Sequence, residues 1–496
     1  MQNEQLKFFF NPLNARVFRI LNYIEIANKF TIEKLSIING VSPRTTVSDI
    51  KYIKDYFGDS IIMEHGKYGY IFKDVSAEKY MEKKQNLLEN EVLLDVISNI
   101  FYGELDSIAE ICHHYNLSES SLRRLLSQSE SVLSKYELAW KTNPLDINGS
   151  EANIREYFKD FFYLGHQTPF SLMYDEELQR LVEKRFEDRL GNYEIGSGIA
   201  FKEFYFNMYI CIQRFAVGKN IDLPDFLLQK VYKEKDFHML LEIKNDVKQL
   251  YDLDLPVEEV AWIFLSLICK RTNNDIKKEN FFFDKFNFGT DIECTSRTFI
   301  NRKDLKDSVS SDINIFINTF FLSIKINDLI CPSANRKSAD FIDRVKHNYK
   351  ILYQDNYEFL KKIAFISDNY IEDICANLTM YFVTLINLYQ KKKNIYFVIE
   401  GDQIISQMVV MKAENLIGNR HKLFFNTFSS LSKEHLKSLN NQKVDLIVTN
   451  NFDNYVSEYH KGIPMILVGN IPDNRDWEKI LTSLNCYDSH IIDFIL

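Results

Sequence analysis

The chain has 496 residues, 60 Lys and Arg against 69 Asp and Glu for a formal net charge of -9, and 46% apolar residues, 14% of the chain being aromatic. That composition excludes a disordered chain and suits about three to five folded domains, while the acidity excludes a uniformly basic nucleic-acid coat, so any basic footprint must be a local face. No run approaches the length of a membrane span and no N-terminal stretch has the order of a signal peptide; seven scattered cysteines without a CxxC pair argue against a disulfide framework, and a cytoplasmic protein with no membrane partner is predicted.

From Thr31 the sequence TIEKLSIINGVSPRTTVSDIKYI predicts a short helix, a turn at Asn39-Gly40 and a second helix capped by Ser42, with Pro43 at its first position. From Ser107, SIAEICHHYNLSESSLRRLLSQS repeats the pattern, with a turn at Tyr115-Asn116 and a cap at Ser118, 76 residues after the first. A helix that enters the major groove presents short donors and arginine near its N-terminus. Ser42, Arg44, Thr45, Thr46, Ser48 and Lys51 in the first copy, and Ser118, Ser120, Ser121, Arg123 and Arg124 in the second, supply such groups. Double-stranded DNA is the partner this pattern predicts.

After the first unit, SIIMEHGKYGYIFKD predicts a two-stranded wing turning at Gly66-Lys67, which places Lys67 against a phosphate. After the second, the strand Leu145 to Asn148 is expected to turn at Gly149-Ser150 before a new helix, a second wing. Cys112, His113 and His114 are adjacent in sequence but diverge by about 100° per residue on a helix, so no metal site is predicted. No Gly-rich phosphate loop, nucleophile elbow or HExxH pair occurs, so neither a familiar enzyme site nor a cofactor is expected.

The middle of the chain is predicted to be helical, with FKEFYFNMYICIQRFAVGKNI ending at Gly218 and VEEVAWIFLSLICKR following Pro256. Arg214, Gly218, Glu259 and Trp262 resemble the motif frame of the regulation domains (PRD) that bacterial phosphotransferase systems control through histidine phosphorylation. The two positions at which such a domain carries its histidines are Asn207 and Ser266. Residues 286–393 read as a more divergent copy, and His166, His238 and His347 remain as candidate phosphoacceptors. After Lys391-Lys392-Lys393 the pattern changes to alternating apolar strands and helices, which predicts a small parallel sheet. This part resembles the IIB (EIIB) domain of phosphotransferase permeases, although its first loop, Glu400-Gly401-Asp402-Gln403, lacks the phosphorylated cysteine.

Taken together, the chain resembles the Mga and AtxA family of virulence-gene regulators over essentially its whole length, with NGSEANIREYFKDFFY similar to that family's second DNA-binding segment. The fold expected is multidomain and mainly α: winged helix-turn-helix domains at 1–76 and 77–160, PRD-like helical bundles at 161–285 and 286–393, and an EIIB-like α/β domain at 394–496. The resemblance implies a cytoplasmic transcription regulator, usually an activator, that forms a homodimer partly through its C-terminal domain and answers to a phosphotransferase phosphocarrier. A phosphotransferase component and a regulatory scaffold without DNA binding are the alternatives.

Overall fold

The first helix, α1 (Pro12–Ala27), buries Val17, Phe18, Leu21 and Ile24 at helical spacing. α2 (Ile32–Asn39) starts where the Thr31 hydroxyl accepts the Lys34 N–H at 3.2 Å and ends at Gly40, whose φ of 63° suits a residue without Cβ. The chain then re-enters a helix, α3 (Pro43–Phe57), with the Ser42 hydroxyl accepting the Thr45 N–H at 3.2 Å. Strands β1 (Lys29–Phe30), β2 (Ile61–Gly66) and β3 (Gly69–Asp74) form an antiparallel sheet in the order β1-β3-β2. The computed structural model describes residues 4–27, 29–66, 69–89, 91–163, 175–187, 201–303, 310–389, 391–426, 444–451 and 463–484; Lys67 and His166 lie outside them.

The second copy follows α4 (Ala77–Asn86) and α5 (Val92–Tyr102). α6 (Ile108–His114) opens with a reciprocal capping box between Ser107 and Glu110, and α7 (Glu119–Leu133) is capped by Ser118 on the Ser121 N–H. Asn116, at φ 51°, makes the turn that Gly40 makes in the first copy. The wing here differs from expectation. β4 (Ala139–Thr142) pairs antiparallel with β5 (Leu145–Asn148), so the hairpin turns at Asn143-Pro144. Gly149-Ser150 instead leads from β5 into α8 (Glu151–Tyr163). Gly149 is at φ 152°, and a Cβ there would strike the Leu138 side chain, so that exit is closed to other residues.

Packing divides the chain into two units, Met1–Lys270 with Ile326–Ala334, and Arg271–Lys325 with Asn335–Leu496. In the first, the N-terminal segment forms a strap. Phe8 is fully buried between Tyr157 and Phe161 of α8, the Gln5 side chain donates to the Phe161 carbonyl, and Phe9 packs on Phe18 of α1. Glu91 closes the arrangement: it is buried and accepts from the Phe10 N–H (2.5 Å), the Asn11 N–H (3.4 Å) and Asn14 Nδ2 (2.9 Å). Burial holds its carboxyl pKa up despite these bonds. The unit continues through α9 (Glu176–Glu187), α10 (Phe201–Ala216), α11 (Asp225–Val231), α12 (Lys235–Leu241), α13 (Ile243–Tyr251) and α14 (Val257–Ile268). α14 is buried almost all round.

The second unit holds α15 (Ile276–Phe286), α16 (Asp291–Arg302), most of α17 (Ile313–Ile330), α18 (Ala339–Asn348), α19 (Lys350–Leu360) and α20 (Ile371–Tyr389). Phe299 is the centre of its helical part, meeting the rings of Phe321, Phe359 and Phe382. α17 corrects one sequence expectation: its 18 residues have a mean hydropathy of 1.3, long and apolar enough to cross a membrane. Phe316, Ile317, Phe320 and Phe321 of this helix are buried inside the protein.

The expected small parallel sheet is present. β6 (Asn394–Val398), β7 (Lys422–Asn426), β8 (Leu446–Thr449) and β9 (Met465–Leu467) run parallel in the order β7-β6-β8-β9. α21 (Gln403–Ala413) and the helix Asn474–Ser483 bury Val409, Ala413, Trp477 and Ile480 against one face.

Candidate nucleic-acid interface

On α3 the helical phase separates the residue types. Ile50, Ile53 and Phe57 are buried, and Asp49 turns inward to a bidentate pair with Arg16 of α1 at 2.8 and 2.9 Å. This pair anchors the second helix of the unit and removes its first acid from the outer surface. Arg44, Ser48 and Lys51 are exposed at i, i+4 and i+7, a single outward stripe. Ser42 and Thr45 sit at the helix start, their hydroxyls 2.9 Å apart. Thr46, expected among the contact residues, is fully buried, its hydroxyl donating to the Ser42 carbonyl at 3.3 Å. It lies four residues before Ile50 and so shares the core-facing side.

α7 is built likewise. Leu122, Leu125, Leu126 and Ser129 face inward, while Ser120, Arg123 and Arg124 are exposed. The Ser118 hydroxyl lies 2.9 Å from that of Ser120 and 2.8 Å from that of Ser121, a cluster at the helix N-terminus where the backbone dipole favours an anion. Arg123 reaches back to Glu119 at 3.5 Å, an interaction too exposed to hold it. Sequence reasoning missed two exposed wing cations, Lys73 on β3 and Lys141 on β4. Lys141 is legible only with the true hairpin, because it stands one residue before the strand's end.

Behind the second unit, α8 is bound to the helical bundle by buried charge. Arg155 donates to Glu151 (3.1 Å), the Lys219 carbonyl (3.0 Å) and both oxygens of Glu259. Arg214 grips Glu151 at 2.8 and 2.9 Å and the Ile100 carbonyl at 3.1 Å. Glu259 also accepts the Ile221 N–H at 3.0 Å and the Cys211 thiol at 3.2 Å. Burial opposes the charge on Arg155, yet the carboxylates of Glu259 and Glu151 outweigh it and hold the guanidinium pKa above its usual value. Burial and Glu259 push the Cys211 thiol well up, so it is neutral. Arg214, Glu259 and Trp262, singled out in sequence, thus converge on α8, with Arg155 over the Trp262 ring at 5.6 Å.

Asn207 is buried, and its amide nitrogen has no hydrogen-bond partner among the described residues; the Ser266 hydroxyl donates to the Trp262 carbonyl at 2.9 Å. His238 is exposed with Nε2 2.8 Å from the Tyr232 carbonyl, and His347 is exposed in the last turn of α18. In the C-terminal sheet, the Glu400 N–H donates to Asn450 Oδ1 at 2.8 Å and Asn450 Nδ2 to the Glu400 carbonyl at 2.7 Å, tying the loop after β6 to the end of β8.

Residues 77–162, which run from α4 to α8, match the model of the Mga helix-turn-helix domain. The anthrax toxin expression trans-acting positive regulator of Bacillus anthracis is 20% identical over 486 residues, 94% of this chain and 97% of that protein. The capsule synthesis positive regulator AcpB of Bacillus anthracis is 22% identical over 500 residues, 95% of this chain and 98% of its own. Residues 77–162 are thus an Mga helix-turn-helix domain, within a chain similar to these regulators over nearly its whole length. The matched Mga domain ends inside α8, so the residues that join it to the bundle, Glu151 and Arg155, are part of it.

Proposed function

We propose that this protein is a transcriptional activator that binds promoter DNA through both winged units. The observation that carries the reading is the pair of capped helices α3 and α7, with Arg44 outward on the first, Arg123 and Arg124 outward on the second and a buried apolar face on each, α7 lying inside the Mga helix-turn-helix match. That two similar proteins are named positive regulators supports activation. Ser42, Arg44, Thr45, Ser48, Lys51, Lys67, Ser118, Ser120, Ser121, Arg123 and Arg124 form the contact set, and Lys73 and Lys141 extend it along the wings. Thr46 belongs to the core.

The chain acts as a homodimer in which the EIIB-like C-terminal domain takes part. Support comes from α21, which exposes Ile404, Met408 and Met411 at i, i+4 and i+7 as an apolar stripe. The two bundles are PRD-like and bias the geometry of the dimer in response to a phosphotransferase signal, with His166, His238 and His347 as candidate acceptors. Gel-shift titration of the purified protein against upstream fragments and random DNA at rising salt tests the reading. Specific binding whose logarithm falls linearly with log salt is expected, and absence of binding at low salt overturns it.

A further inference from the structure

The outward stripe of α3 contains one apolar residue. Val47 is 52% exposed, in the second turn of the helix, with Arg44 three residues before it and Lys51 four after it. The nearest acid on the helix, Asp49, is turned away into its pair with Arg16. An apolar side chain flanked by two cations along one ridge complements a polyanion with an apolar spot between its phosphates. In the major groove that spot is the C5-methyl of thymine, which is met by apolar side chains.

Counted from the caps, α7 carries Arg123 where α3 carries Val47, and Arg124 where α3 carries Ser48. The two units therefore present different chemistry to DNA. We infer that Val47 is a specificity-determining residue: the first winged unit reads a thymine methyl, and the second, lacking any apolar group in that place, does not. The inference rests on the DNA-binding reading and names the base that one half of the site must contain.

The test uses the full-length protein and a 30-bp duplex enriched from random sequence by that protein. The duplex is made once with thymine and once with deoxyuridine throughout, which removes the methyl groups and keeps the pairing. Wild type is expected to bind the deoxyuridine duplex about fourfold more weakly, the factor for roughly one buried methyl group. Val47→Ser should bind both duplexes equally, and Val47→Thr, which retains a methyl, should keep part of the difference. Equal binding of both duplexes by wild type overturns the inference and leaves the DNA reading standing. So does an undiminished deoxyuridine effect in Val47→Ser. Failure to enrich any duplex overturns both.

Discussion

Arg155, on the helix leaving the second winged unit, and Glu259, on the last helix of the adjoining bundle, form a fully buried bidentate ion pair 104 residues apart in the chain. Together with Glu151 and Arg214 they alternate in sign, so no charge of the four is left uncompensated. Taking one member away strands its partner in a site where water cannot replace it.

Glu259→Gln is expected to lower stability by about 3 to 5 kcal/mol, because the buried Arg155 and Arg214 are then left to share the single carboxylate of Glu151, while the Ile221 N–H keeps an acceptor. Chemical denaturation measures this. Replacing Arg155 and Glu259 together by Met should recover much of the loss, and a double variant as unstable as the sum of Arg155→Met and Glu259→Met would show that the pair does not act as a unit.

Phe8→Ala should cost about 3 to 5 kcal/mol, since the ring is wholly buried between Tyr157 and Phe161. Hydrogen exchange should then speed up in α8 and in α1, the two helices the strap joins. Unchanged protection in α8 would mean that the strap is not holding it.

On DNA, Arg44→Ala and the pair Arg123→Ala with Arg124→Ala should weaken binding and each reduce the salt slope by about one for every phosphate no longer neutralised. Thr46→Val is a control of opposite kind, because its hydroxyl serves the helix start. It should alter melting and leave DNA affinity as it is; a lowered affinity at unchanged stability would return Thr46 to the interface.

His421 gives the C-terminal sheet a pH dependence. It is buried, its Nδ1 accepts the Lys393 N–H at 3.3 Å, and burial with Lys393 and Arg420 nearby, against the weaker pull of Asp445, lowers its pKa to about 4. The unfolded chain takes up the proton first as pH falls below about 6.5, so stability is full above that pH and is lost toward pH 4, by about 2 kcal/mol. Hydrogen exchange in β6 and β7 at pH 7 and pH 5 should show the loss, and His421→Gln should flatten it.

Charge placed on α21 should separate the proposed dimer. Met408→Glu with Met411→Glu disrupts the exposed stripe without touching the buried Val409 and Ala413. Sedimentation should then give a monomer with lower apparent affinity for DNA; an intact dimer would move the interface elsewhere.

Much of the first third is legible in the sequence because helix starts are local events: Ser42, Ser107 and Ser118 announce their helices within three residues. Thr46 misleads because chemistry alone ranks it with Ser48, whereas the two-residue step between their positions turns the helix by about 200° and puts it beneath. The second wing is displaced from its expected turn because Ala139–Thr142 is too short and mixed to declare itself a strand without its partner. Gly149 signals a turn that is in truth a tight passage under Leu138. The ion network is invisible in the sequence, since nothing in the spacing of Arg155, Arg214 and Glu259 says that they meet.

The strap also sets an order of assembly. Gln5 and its acceptor at Phe161 are separated by 156 residues, so the strap cannot find its place until α8 has been made. At roughly 5 to 20 residues per second, the sequence around Phe8 waits about 8 to 30 seconds with its aromatic rings uncovered. Until α8 arrives, the ring of Phe8 lacks the Tyr157 and Phe161 faces that bury it.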